Sequence, residues 1–433
     1  MDSYSFAVMM NEALKNDGAA PQFSDETLQK MLDFQAGKLT GGMDASPTNP
    51  DAWNDVWSTG YANTDIYDEL YKKEVFSQEH NLSISGGSEK VTYYASFNYL
   101  NQGGMLKIGD DGLKRYNITG KINTQLTSWL KFNFSTRFTR NDTWRPRFLG
   151  SEDGDTSFYN YFGRQNWPNI PMYDPNGNLY GYNAVELRDG GQRKVQTDRH
   201  YYQGVLTIEP IKNWITNIEI NYSITDQKVK ETTLRAHQTG PTGEPIYRIN
   251  DSGLKEEALK ENYFNLNVYS EYSHSFNDIH NLKVMAGFQT EQMRQEDFNV
   301  FKNGLIMPDM PEFDLTNGLL ESTGASKEAT VQGYSNKWIT AGFFGRVNYD
   351  YQGRYLAEAN IRYDGTSRFR RGNRWQWSPS FSLGWNIAQE HFWEPLTNVV
   401  NQLKLRLSYG QLGNQNTDSW YPTYRLMTLG ILN

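Results

Sequence analysis

The sequence predicts an all-β protein: part of a large antiparallel transmembrane β-barrel, with a short helical region at the N-terminus. Three observations predict it. Long runs alternate with period two. One face of those runs carries no charge. The connections between runs alternate between short and long.

The N-terminal stretch comes first. Ser5 to Lys15 reads as one amphipathic helix, with Phe6, Met9, Met10 and Leu14 on a stripe. Residues 18–75 are rich in Gly, Pro, Asp and Asn and read as loop. A second helix is expected at Asp25–Phe34, opened by Ser24 as N-cap. Residues 1–77 are therefore expected to form a loop region with one or two short helices, and residues 78–433 a barrel segment.

About twelve alternating segments follow, starting near His80, Val91, Tyr116, Leu130, Tyr202, Trp214, Phe264, Leu282, Ile339, Tyr355, Trp377 and Leu403. A strand needs this period because successive side chains point to opposite faces. From Leu130 to Phe138, for example, Leu130, Phe132, Phe134 and Phe138 share one face, against Lys131, Asn133, Ser135 and Arg137. The more apolar faces of the eleven clearest segments hold 58 positions; at 21% charged content about 12 charges belong there by chance, and none is present. A charge on a lipid face costs roughly 2–4 kcal/mol at mid-membrane, so selection against charge there is steep. The opposite faces carry Lys131, Arg137, Arg346, Glu358 and Arg362, which are expected to line the lumen.

Short links lie at 87–90, 127–129, 211–213, 277–279 and 352–354, and long ones between them. The long outer loops are expected at 143–199, 226–262 and 302–337. Rings flank the short links, among them Trp129, Trp214, Tyr349, Tyr351 and Tyr355. An aromatic girdle at the membrane interface accounts for them. A brief helix is expected at Glu394–Val400.

Composition excludes several classes. The 433 residues include 22 Phe, 12 Trp and 28 Tyr, far too many rings for a disordered chain. No run approaches the ~18 apolar residues of a spanning helix. A net charge of −8 gives no footprint for nucleic acid. Cysteine is absent, which removes disulfides and thiolate metal sites. Met1 to Phe6 show neither a basic nor an apolar leader segment, so no signal peptide is expected within this chain.

Chemistry-bearing motifs are sparse. There is no G-x-S-x-G, no H-E-x-x-H and no phosphate-binding Gly-Lys loop, so no enzyme and no cofactor is expected. Asp174, followed by Asn176 and Asn178, has the alternating oxygens of a calcium loop, as do Asp153 and Asp155. Turn chemistry and a solvated acidic loop explain these residues better. The loop from Trp144 to Asp198 holds ten rings. Rings with polar handles suit wide polar ligands, and Trp167, Tyr173, Tyr180 and Tyr182 stand beside turn residues that can expose them. The competing account is that these rings give a long loop its own core.

Several stretches resemble a known family. They are Asn11-Glu12-Ala13, Ser77 to Lys90, Tyr93 to Gln102, Lys114 to Asn117, Asn360 to Phe369, Pro379 to Trp385 and Leu405 to Asn414. Together they are similar to the SusC/RagA-type TonB-dependent outer-membrane transporters of Bacteroidota. The resemblance implies a 22-stranded barrel with an internal plug, of which this chain supplies about twelve strands. It implies uptake of glycans or peptides, energy relayed by TonB through a segment absent here, and a SusD-like surface lipoprotein as lid. The signal peptide, plug and C-terminal strands of that family are not recognised, so an internal piece, mostly barrel wall in contact with outer-membrane lipid, is expected. Two other readings compete: a passive or structural barrel, and a soluble secreted glycan-binding β protein.

Overall fold

The computed structural model describes residues 1–147, 167–181, 184–415, 417 and 419–424. Twelve strands form one antiparallel sheet: β1 (Ser77–Gly87), β2 (Val91–Gly103), β3 (Gly112–Thr127), β4 (Leu130–Pro146), β5 (Gln192–Ile211), β6 (Trp214–Thr233), β9 (Gly253–Phe276), β10 (His280–Asn303), β11 (Thr330–Tyr351), β12 (Tyr355–Thr366), β13 (Trp375–Asn386) and β14 (Lys404–Gly410). Each pairs with its neighbour in the sequence, apart from a two-stranded hairpin, β7 (Ala236–Thr239) and β8 (Pro245–Ile249), inserted between β6 and β9. The short links turn on residues with positive φ: Asn213, Asn277, Asp278, Gln352 and Gly353. Such turns reverse the chain within two or three residues, which only antiparallel neighbours permit.

The register joins the separate apolar faces into one. Phe132 opposes Leu206, Leu206 opposes Ile218, and the row continues through Val268, Phe288 and Phe343 to Tyr363. Every predicted apolar face falls on this same side, because directly opposed residues in an antiparallel pair point the same way. Lys131, Arg137, Arg346, Glu358 and Arg362 all fall on the other side.

Strands run further than alternation reveals. β5 and β6 have 20 residues each, and β9 and β10 have 24. The stretches read as loops at 143–199, 226–262 and 302–337 therefore contain paired strand, and the connections proper are 147–191, 234–252 and 304–329. In place of a helix at Glu394–Val400, a 3₁₀ helix spans His391–Leu396, closed by i→i+3 bonds from the Trp393 N–H to Glu390 and the Thr397 N–H to Glu394.

The N-terminal region contains four helices rather than one or two: α1 (Ser3–Asn16), α2 (Asp25–Gln35), α3 (Val56–Thr59) and α4 (Ile66–Leu70). Asp2 caps α1 by accepting from the Ser5 N–H, and Ser24 caps α2 by accepting from the Thr27 N–H. A fifth short helix, α5 (Ala184–Asp189), lies in the connection before β5. The helices and long connections gather at one end of the sheet as a cap. Among the described residues, the buried apolar side chains sit almost wholly there; only Pro146, Val229 and Leu254 belong to the twelve-stranded sheet. A wall with polar groups on one face and an apolar medium on the other needs no core, whereas connections of this length do.

Candidate functional site

The polar face of the wall and the cap at its long-loop end make up the candidate site. Alternation places Asn, Gln, Thr, Glu and Arg on the polar face, and the register brings them within bonding distance across strands. Thr139 donates to the Asn117 carboxamide at 2.8 Å, and Asn117 donates to Asn98 at 3.0 Å. Asn98 in turn donates to Glu79 at 2.7 Å. Further along, Gln203 donates to Glu219 at 2.8 Å and Asn221 to Asn265 at 3.0 Å. Arg346 donates to Asn360 at 2.6 Å, and both Asn348 and Asn360 donate to Glu358. Arg362 is held by Asp364. Lys131 and Arg137 differ: both are exposed and have no ion pair or hydrogen bond among the described residues. These two cations stand free on the polar face of the wall.

The cap is assembled from segments distant in sequence. The Asn169 carboxamide donates to the carbonyls of Val56 and Gly60, and the Thr64 hydroxyl donates to the Ile170 carbonyl at 2.7 Å. The Trp53 indole donates to the Thr239 carbonyl at 2.8 Å, tying in the β7–β8 hairpin. The Lys72 and Lys107 N–H groups bond across to Met105 and Leu70. Tyr61 is buried and donates to Asp44 at 3.0 Å; burial first, then this bond, push its phenol up to about 12.

Two of the four predicted binding rings hold the cap together. Trp167 lies 4.9 Å from Trp57, 5.4 Å from Phe6 and 6.1 Å from Phe23, centroid to centroid, and packs against two buried clusters. Tyr180 packs against Met43, Val56 and Ile170, and burial raises its phenol pKa. Tyr173 is 51% exposed and is held at the surface by a bridge to Leu179. Tyr182 lies outside the described residues, as do Asp153 and Asp155. Asp174 is buried, and its carboxylate accepts from the N–H groups of Asn176 and Asn178 and from the Asn178 side chain. That is a turn-closing role; no group of three or more potential metal ligands occurs among the described residues.

Missed by the sequence reading were α3, α4 and the ladder Thr139–Asn117–Asn98. The ladder left a signal, since Asn98 and Asn117 fall on polar faces of adjacent segments. The short helices left only their caps, Asp55 and Asp65.

Glu186 on α5 is buried, and burial raises its pKa above the usual carboxylate value, with Arg248 and Arg147 opposing. A carboxyl that binds its proton more tightly folded than unfolded makes the cap lose stability as pH rises from about 4.5 through the folded value. Glu186→Gln is therefore expected to increase protease resistance of the cap at neutral pH and to change nothing near pH 4. Equal gains at both pH values would remove the titration account.

Comparison with known proteins agrees with this geometry. The family described as TonB dependent receptor-like, beta-barrel matches residues 143–430. The chain is 27% identical to TonB-dependent receptor P3 of Formosa agariphila over 388 residues, covering 86% of this chain and 36% of that protein. It is 25% identical to TonB-dependent receptor SusC of Bacteroides thetaiotaomicron over 386 residues, covering 82% of this chain and 35% of SusC. The solved structure of the RagAB peptide transporter superposes with a TM-score of 0.68 at 19% identity, covering 95% of this chain and 44% of that one. The chain thus spans little more than a third of the length of these curated relatives.

Proposed function

The chain belongs to the TonB-dependent receptor-like β-barrel family, and from that premise we propose that the complete protein imports large nutrients, oligosaccharides or peptides, across the outer membrane. The observation that carries the proposal is the two-faced wall: a side whose apolar band holds no charge and a bonded polar side with free cations at Lys131 and Arg137. The apolar band meets lipid, and the polar side borders the transport path. The long-loop end, with its cap, faces the cell exterior. A SusD-like surface lipoprotein closes over it, and TonB supplies energy through a part of the protein other than the wall.

Within this reading Tyr173 and Tyr182 meet substrate or the lid, while Trp167 and Tyr180 shape the cap. Tyr173→Ala in the complete protein is expected to weaken substrate capture by about 1 kcal/mol, roughly five- to tenfold in affinity. The readout is uptake of labelled oligosaccharide or peptide at limiting concentration, with and without TonB. Uptake that persists without TonB would favour the passive barrel instead. Normal uptake by Tyr173→Ala and Tyr182→Ala together would end the binding role of these rings.

A further inference from the structure

The apolar face of the wall continues beyond its apolar band. On β6 it runs past Ile224 to Asp226, Lys228 and Lys230; on β5 it runs past His200 to Asp198, Gln196 and Lys194. Pairing is unbroken here, so these side chains point to the lipid side of the wall, above the hydrocarbon. Trp144, Lys194, Lys230 and Glu256 form one cross-strand row, and Asp142, Gln196, Lys228, Ala258 and Phe298 the row below it. These residues line a cleft of about 640 Å³.

Lys194, Lys228 and Lys230 meet Asp142, Glu256 and Glu312 at this cleft, but the acids are shared unevenly among the lysines. Lys194 stands directly opposite Lys230, and like charges so placed destabilise a sheet. Lys230 is offset by Glu256 at 3.4 Å and Glu312 at 2.8 Å. Lys194 and Lys228 have no ion pair or hydrogen bond among the described residues, and Asp142, the remaining acid on this face of the cleft, pairs with neither. Two ammonium groups are thus left for an external anion.

Height identifies the anion. Lys228 lies four residues beyond Ile224; at ~3.4 Å per residue and the usual tilt of roughly 40°, it stands about 10 Å above the apolar edge. Lys194, six residues beyond His200, stands about 15 Å above it on the same geometry. The phosphate of a simple phospholipid stays within about 5–7 Å of the hydrocarbon. A phosphate carried on a sugar headgroup reaches higher. The half-exposed Phe298 offers a ring face to sugar carbons beside the two ammonium groups, and Trp144, with Lys114 Nζ 5.5 Å from its ring centroid, borders the same cleft.

We propose that this cleft binds a phosphorylated glycolipid of the outer leaflet, with Lys194 and Lys228 on its phosphate and Phe298 against its sugar. The proposal rests on the wall's place in the outer membrane and is independent of what the protein imports. The test uses the complete protein in detergent, with purified lipopolysaccharide, the same material after phosphatase treatment, and inorganic phosphate as probes. Heat-modifiable migration on a gel confirms folding of each variant. Lys194→Gln with Lys228→Gln is expected to weaken lipopolysaccharide binding tenfold or more, and Lys194→Arg with Lys228→Arg to keep it. Phosphatase treatment is expected to weaken binding to the wild type by a similar factor. Unchanged binding in the folded glutamine variant overturns the proposal, and so does unchanged binding after phosphatase treatment. If the glutamine variant does not fold, the arginine variant and the phosphatase arm decide. Binding of inorganic phosphate with no binding of the lipid also overturns it.

Discussion

Phe132→Arg in the complete protein is expected to cost roughly 2–4 kcal/mol of barrel stability, the price of a guanidinium on the lipid face near mid-membrane. Phe132 belongs to the apolar row that runs through Leu206, Ile218, Val268, Phe288 and Phe343. Its chain neighbour Asn133 points to the polar face, opposite Asn123 and Val205, and Asn133→Arg is expected to cost less than about 1 kcal/mol, as a surface substitution does. The measurement is the folded, heat-modifiable fraction across a urea series in detergent or lipid. Labelling provides an independent check. A water-soluble thiol reagent is expected to reach Lys131→Cys in intact cells far more readily than Phe132→Cys. Equal losses for the two arginine variants, or equal labelling of the two cysteines, would overturn the assignment of faces.

Trp167→Ala is expected to loosen the cap while leaving the wall intact. The ring joins α1, through Phe6, and the link leading into α2, through Phe23, to α3, through Trp57. Removing a large packed ring costs about 3–5 kcal/mol when fully buried, and somewhat less here because Trp167 retains partial exposure. Limited proteolysis is expected to cut the variant rapidly between residues 17 and 60, with heat-modifiable migration of the barrel unchanged. Tyr173→Ala is expected to leave that cleavage rate as it is in the wild type, because Tyr173 is exposed and belongs to none of the buried clusters. A Trp167→Ala protein with an intact cap but impaired uptake would return Trp167 to the binding rings.

The sequence by itself determined the wall: twelve strands, the short links between them, and which side chains share a face. Those features are local. Period-two alternation needs only the pleat, and a lipid face tolerates no charge whichever strands lie beside it. Helices α1 and α2 were legible for the same reason, because the apolar stripe of α1 and the Ser24 cap of α2 are local to each segment; the Asp2 cap of α1 emerged only in the structure. The tertiary structure decided where the strands end. Beyond the apolar band both faces are polar, so alternation disappears. Pairing continues there through backbone bonds and ion pairs such as Arg193–Glu231 at 2.9 Å. The tertiary structure also decided what Trp167 does. An aromatic residue beside a turn reads the same in sequence whether it binds a ligand or fills a core. The Asn169 bonds to Val56 and Gly60, across more than a hundred residues, draw this segment into the N-terminal helices and pack the ring against them. Contacts of such long range leave no period or spacing in the chain, because their energy is realised only once the cap has closed.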